Sequence, residues 1–285
     1  MNKINTLLLV LILVYSSCKK DDELIIEKPI TEETKGYNML LAGNSFFKPY
    51  ADKIGEQAID AGYINHKDIT VFAGGDAGRP INLWNDTGAN NQLIKETLDK
   101  GDVNIFGMTA GNLPENPTDG FRDWIAYALQ NNPDITIFLS IPPPDFPSQW
   151  QQMAKNLGFD TIQEAYEHFV NYTIHKLLID PLRAEFPSTN IFTIPTGWAT
   201  INLAQMNLDN LLLDDITLSG PRETSIFIDQ KGHQGDIVRE TGGLIWLTSI
   251  YNVNLNTNTY ETDFNTDLHT VAQDIMNSHD SNYTK

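Results

Sequence analysis

Residues 38–61, NMLLAGNSFFKPYADKIGEQAIDA, decide the fold. The run Asn38-Met39-Leu40-Leu41-Ala42 is short, apolar and unbroken, as in a strand buried on both faces. Gly43-Asn44-Ser45 supplies a turn, and residues 49–61 then place Ile54, Ala58 and Ile59 on one face at helical spacing. The same alternation continues down the chain. Residues 69–73 (ITVFA), 103–108 (VNIFGM), 135–141 (ITIFLSI) and 190–194 (NIFTI) read as further strands. Helices are expected over 92–98, 121–130, 161–179, 237–251 and 268–276, with Pro142-Pro143-Pro144 stopping the fourth strand and Pro181 ending the third of these helices. Strands alternating with helices predict an α/β fold, a parallel sheet covered by helices on both faces. Ligands in such sheets bind at the carboxyl ends of the strands.

The start of the chain has a different character. Lys3 precedes an apolar run at residues 7–14 that is too short for an ordinary membrane span. Val14-Tyr15-Ser16-Ser17-Cys18 follows, and Cys18 is the only cysteine. This resembles a bacterial lipobox, in which residues 1–17 are a signal peptide and Cys18 is lipidated; a plain secretory leader with an incidental cysteine is the alternative. A lone cysteine leaves no internal disulfide and no zinc–thiolate cluster. Residues 18–36 are charge-rich and aperiodic, the composition of a flexible tether. Lys19-Lys20-Asp21-Asp22-Glu23 resembles the acidic export signal of surface lipoproteins in Bacteroidetes, and reads equally as a solvated spacer. The expected organisation is leader, tether, and one domain over 37–285, lipid-anchored to the cell envelope, at the outer membrane and exposed on the surface. Formal net charge is −18, which repels phosphate backbones and excludes nucleic acid as a partner.

Ser45 stands at the end of the first strand and the start of the first helix. It reads either as a helix cap or as a nucleophile projecting from the top of the sheet. Two segments bear on the choice. Ala42-Gly43-Asn44-Ser45 resembles the first block of the SGNH (GDSL-like) hydrolases, and Phe227-Ile228-Asp229-Gln230-Lys231-Gly232-His233 resembles their last. The order Ser, Asp, His matches that family, in an uncharacterised lipoprotein branch of it, over roughly residues 37–253. Asp229 and His233 are four apart where the family has three. Ala110-Gly111-Asn112-Leu113 stands where Gly-x-Asn-Asp is usual, with Asn116 and Asn104 as alternative donors.

The resemblance implies a three-layer α/β/α sandwich with a five-stranded parallel sheet of flavodoxin-like order 2-1-3-4-5. It implies a serine esterase or deacetylase acting on a small-molecule or glycan ester, without metal or organic cofactor. Ser45 would attack, His233 would take its proton and Asp229 would orient the imidazole. The N–H groups of Ser45 and Gly75 and the amide of Asn112 would form the oxyanion hole, each donor worth about 3–4 kcal/mol. The alternative is a non-catalytic surface lipoprotein using this fold to bind glycans or as a scaffold.

Other residues carry weaker signals. His168 and His175, seven apart on a helix, could share a face but lack a supporting carboxylate register, and read as surface residues. Asp214-Asp215 reads as a solvated loop rather than a cation site. Gly74-Gly75-Asp76-Ala77-Gly78 lacks the Lys-Ser/Thr of a phosphate loop. Trp84 and Trp150 could stack on a sugar or pack at a rim. Asp236 is expected to favour the start of the helix that follows His233.

Overall fold

The computed structural model describes residues 36–111 and 115–285. Cys18, the leader, nearly all of the tether, and Asn112 therefore lie outside the described residues. Strand β1 (Asn38–Gly43) leads to α1 (Lys48–Asp60) and β2 (Lys67–Phe72). Helices α2 (Pro80–Asn85) and α3 (Ala89–Leu98) precede β3 (Ile105–Thr109), and α4 (Phe121–Asn131) precedes β4 (Thr136–Ser140). Helices α5 (Trp150–Asn156), α6 (Ile162–His168) and α7 (Asp180–Glu185) come before β5 (Ile191–Ile194). Helix α8 (Gly197–Leu208), β6 (Thr217–Ser219), β7 (Ser225–Phe227), α9 (Asp236–Tyr251) and α10 (Leu268–Ser278) complete the chain.

The main sheet has five parallel strands in the order 2-1-3-4-5, as expected. Strands β1, β3, β4 and β5 are buried and mostly apolar because both faces are covered, whereas the edge strand β2 is largely exposed. Met39, Leu40, Leu41, Phe106, Phe138 and Phe192 are all fully buried. Helices α1, α8 and α10 pack with α9, while α2, α3 and α4 pack with one another. Trp246 of α9 lies edge-on to Phe47, with ring centroids 4.9 Å apart, and its indole N–H donates to Thr196 Oγ1 at 2.9 Å. Among the described residues no helix is long and apolar enough to cross a membrane.

Two expectations about the long third helix need correction. It opens on a capping box in which Thr161 Oγ1 accepts the Glu164 N–H and Glu164 Oε2 accepts the Thr161 N–H, each at 3.2 Å. After α6 the backbone continues as a π-helix, Phe169–Ile179, and runs on through Pro181 into α7. Pro181 falls in the first turn of α7, after the wider winding, so it does not end the helix. That winding also advances less per residue, so positions seven apart leave a common face. His168 is exposed, whereas His175 is buried, not a surface residue.

Strands β6 and β7 form a second, two-stranded parallel sheet, with Thr217 beside Ser225 and Ser219 beside Phe227. Phe227 also bridges antiparallel to Gln234. This small sheet closes the base of the loop at residues 228–233.

Candidate active site

Both flanks of the Ser45 turn are fixed by packing. Gly43 ends β1, where a Cβ would lie 2.5 Å from the Phe47 ring. Phe46 and Phe47 are buried, and each such side chain contributes about 1.5–3 kcal/mol by leaving water. Asn44 shapes the turn itself. Its side-chain oxygen accepts the Phe46 N–H at 3.0 Å, and its carbonyl accepts the N–H of Phe47 and Lys48. Helix α1 has Phe47 at its N-cap, with no side-chain cap. Ser45 therefore does not cap it. Its hydroxyl is left half-exposed at the carboxyl end of β1.

The partner of that hydroxyl is His233. Ser45 Oγ lies 2.7 Å from His233 Nε2, and His233 Nδ1 lies 2.5 Å from Asp229 Oδ2. The four-residue spacing of Asp229 and His233 is absorbed within one tight turn. Asp229 Oδ1 accepts the N–H of Gly232 at 3.0 Å and of His233 at 3.2 Å, while the Ile228 N–H donates to the His233 carbonyl at 2.8 Å. Gly232 makes this possible with a φ of +97°, a left-handed conformation that disfavours any side chain. Burial raises the Asp229 carboxyl, but the His233 ring and N–H, its charge, and the Gly232 N–H outweigh it, so Asp229 sits below the usual carboxylate range. Phe46 stacks on the imidazole at 4.9 Å and 24°.

Gly75 follows β2, whose Phe72 is in register with Gly43, so it lies on the same rim as Ser45. Its φ is +55°. Among the described residues, neither the Ser45 nor the Gly75 N–H donates a hydrogen bond. Gly111 follows β3 at this rim and lines the same cavity as Gly75. Of the alternative amides, Asn104 lies at the opposite end of the sheet, where its Oδ1 accepts the Asn38 N–H at 2.8 Å. Asn116 is engaged with Asp119.

The remaining candidates have structural duties. Asp214 accepts the backbone N–H groups of Asn265 and Thr266 at 2.8 and 2.9 Å, and so ties down their loop. Trp84 is edge-on to Trp124 at 4.8 Å with Lys95 over its ring, and Trp150 is buried, donating to the Pro144 carbonyl at 3.1 Å. Both tryptophans pack rather than offer a free platform. Asp236 begins α9 and pairs with Arg239 at 3.1 Å. Among the described residues no cluster could hold a metal ion.

Two concavities meet at the Ser45 turn. One of about 300 Å³ is lined by Asn44, Phe46, Gly75, Gly111 and side chains from α5 and α6. The other holds Ser45 and His233 themselves, with Lys48, Asp52, Arg222 and Arg239. The residues at the mouth of the first, Asp76, Arg79, Asp145 and Lys231, are not singled out by sequence pattern. Asp145 directly follows the proline run after β4, and that strand-end position is the signal that could have marked it.

A scan against models of protein families finds no match for the chain, and a search of curated proteins finds none. Solved structures do resemble it. A DUF4886 family protein from Bacteroides uniformis aligns over 88% of this chain and 100% of its own, with a TM-score of 0.52 and 11% identity. The periplasmic domain of a lipopolysaccharide acetyltransferase from Salmonella ser. Paratyphi A aligns over 78% of this chain and 84% of its own, with a TM-score of 0.44 and 14% identity. The first likeness carries the α/β fold and nothing finer; the second is too distant to carry an argument.

Proposed function

We propose that the chain is an SGNH-type serine esterase whose nucleophile is Ser45. The observation that carries this is the continuous relay from Ser45 Oγ to His233 Nε2 (2.7 Å) and from His233 Nδ1 to Asp229 Oδ2 (2.5 Å), at the carboxyl rim of the sheet. A serine hydroxyl is a weak nucleophile until a base within hydrogen-bond reach accepts its proton. His233 takes that proton as Ser45 Oγ attacks the ester carbon, and Asp229 stabilises the imidazolium that forms. The N–H groups of Ser45 and Gly75, with the Asn112 amide as a further donor, meet the developing oxyanion. His233 returns the proton to the leaving alcohol, and water then cleaves the acyl-enzyme by the reverse sequence.

The half-exposed site gives water this access. Deacetylation falls within this chemistry, and esters on extracellular glycans are the substrates that a surface location brings near. Turnover of a nitrophenyl ester series by the chain from residue 37 tests the proposal, together with Ser45→Ala. Hydrolysis lost in Ser45→Ala supports it; hydrolysis retained by that variant refutes it. We further infer that Cys18 carries a lipid anchor, on the strength of residues 1–18 alone. Metabolic labelling with a fatty-acid analogue should tag the full chain and spare Cys18→Ala, and an untagged full chain contradicts it.

A further inference from the structure

A cavity of about 300 Å³ adjoins the Ser45 turn and includes Gly75 in its lining. Its near wall is Asn44 and Phe46, which flank the serine, and its floor is Gly75 and Gly111 at two strand ends. Its far wall is Met153, Leu157, Ile162, Ala165 and Phe169, none of them polar. Tyr166, also in this wall, has its hydroxyl occupied by the carbonyls of Ile141 and Pro142 at 3.2 and 3.0 Å, so it offers the cavity its ring. The charged groups at the mouth neutralise one another, Arg79 with Asp76 at 2.7 Å and Lys231 with Asp145 at 3.9 Å.

Stereochemistry assigns the occupant. The tetrahedral carbon carries Ser45 Oγ, the oxyanion, the leaving oxygen and the acyl chain. The leaving oxygen must face His233 Nε2 to receive its proton, and so lies on the side of the concavity that Ser45 and His233 share with Lys48, Asp52, Arg222 and Arg239. With the oxyanion on the Ser45 and Gly75 N–H groups, the acyl substituent takes the remaining direction, past Asn44 and Phe46 towards the apolar side chains of α5 and α6. We propose that this cavity is an acyl-chain site, and that among the esters open to this chemistry the protein prefers those of aliphatic acids longer than acetate; this rests on the serine-esterase proposal above. The cavity's volume is at the lower end of the roughly 300–1,000 Å³ usual for ligand pockets, which suits a single chain rather than a ring system.

The wall is also tied to the catalytic loop. Phe146, just beyond the proline run, has a φ of +55°, unusual for a bulky residue, and its N–H donates to the Lys231 carbonyl at 2.9 Å. Pro147 packs so near Gly232 that a Cβ there would meet it at 2.8 Å. The acyl wall and the Asp229–His233 turn are thereby held in one arrangement.

Ethyl nitrophenyl alkylphosphonates test the proposal without requiring turnover. The Ser45 hydroxyl proton passes to His233 as Oγ bonds to phosphorus, nitrophenolate departs, and the alkyl group occupies the acyl direction. The hexyl compound should inactivate the protein about tenfold faster than the methyl compound, or more, because added methylenes are buried. Ala165→Phe and Ile162→Phe, two independent ways to fill the cavity, should bring that ratio towards unity. A ratio near unity in the unaltered protein, or one that neither substitution lowers, overturns the acyl-site proposal. No reaction with any phosphonate, in protein folded by circular dichroism, overturns instead the serine-esterase proposal beneath it, and the acyl site with it.

Discussion

Three places among the described residues bring a hydroxyl and an imidazole into hydrogen-bond range; one is the buried His66–Tyr251 pair at 2.6 Å, and the other two make the sharper contrast. At the rim, Ser45 meets His233 at 2.7 Å, and the ring's other nitrogen meets Asp229. Beneath the carboxyl terminus, Thr193 of β5 meets His175 at 3.2 Å and His279 at 3.0 Å. There His175 stacks flat on Tyr283 at 3.7 Å, and its Nδ1 has no partner among the described residues. Burial, reinforced for His175 by the neighbouring His279 charge, pushes the first ring down to about 4; burial does the same to His279. A buried imidazole so disposed stays neutral and holds a core together. Proton abstraction needs a carboxylate behind the ring, a reachable hydroxyl and space for a reacting carbon; of these two places the rim has all three, and at His66, where Asp68 lies 3.3 Å from Nε2, both the ring and Tyr251 are buried.

Substitutions at the rim should have the largest effects. Ser45→Ala and His233→Ala should each lower kcat by at least ~10⁴-fold, and the double variant should be no worse than either single one, because the two act as a unit. Additive losses in ester kinetics would contradict that. Asp229→Asn should cost ~10²–10⁴-fold. An asparagine oxygen can still accept the Gly232 and His233 N–H groups, so the turn survives while the imidazole loses its orienting acceptor. An unchanged kcat would mean that the carboxylate plays no part.

Effects at the buried pair should appear in stability instead. Thr193→Val removes the shared partner of both rings and should destabilise by about 1–3 kcal/mol in urea unfolding, with ester kinetics unaltered. The pair also predicts an acid dependence. Both folded-state pKa values lie near 4, below the 6.5 of an unperturbed histidine, so the unfolded chain binds more protons between those limits. Stability should be complete above about pH 6.5, fall as pH drops towards about 4, and level off with respect to these groups below that. His279→Gln should flatten the slope in that window. A slope equally steep in the variant would show that other groups produce it. The Asp229 carboxylate, held below its ordinary value, loses its contribution only as pH falls below about 3.8.

The smallest expected effect joins the two concerns. Gly232→Ala should lose about 1–2 kcal/mol of stability, since an alanine resists a φ of +97° and its methyl meets Pro147. It should also slow turnover, because the same turn aims His233. Lost stability with full activity would show that the turn can shift without the relay noticing.

The legible parts of the sequence were those where one physical constraint dominates. Strands buried on both faces must be apolar, so residues 38–42, 103–108, 135–141 and 190–194 announce themselves; residues 69–73 read as a strand through β-branched and aromatic residues, although β2 is largely exposed. Helix α8 does not, because its buried Gly197, Ala199, Thr200, Ile201, Leu203 and Ala204 mask any helical period. Strands β6 and β7 are too short to carry an alternation, and β6 is exposed throughout. The order Ser45, Asp229, His233 was visible; the means by which a four-residue spacing closes on one imidazole was not. It depends on the backbone of Gly232 and on a two-stranded sheet formed by residues far from the motif. His175 was read as a surface residue because no carboxylate register supported it as a ligand; its burial against Tyr283 and Thr193, residues distant in sequence, leaves no local signal.

Covalent labelling with a fluorophosphonate, followed by peptide mapping by mass spectrometry, tests the central claim most directly, since such probes capture a hydroxyl only when a base activates it. A single adduct on the peptide holding Ser45, absent in His233→Ala and with Thr193 untouched, is the expected result. An adduct on any other hydroxyl, or no adduct in protein that is folded, would contradict the account.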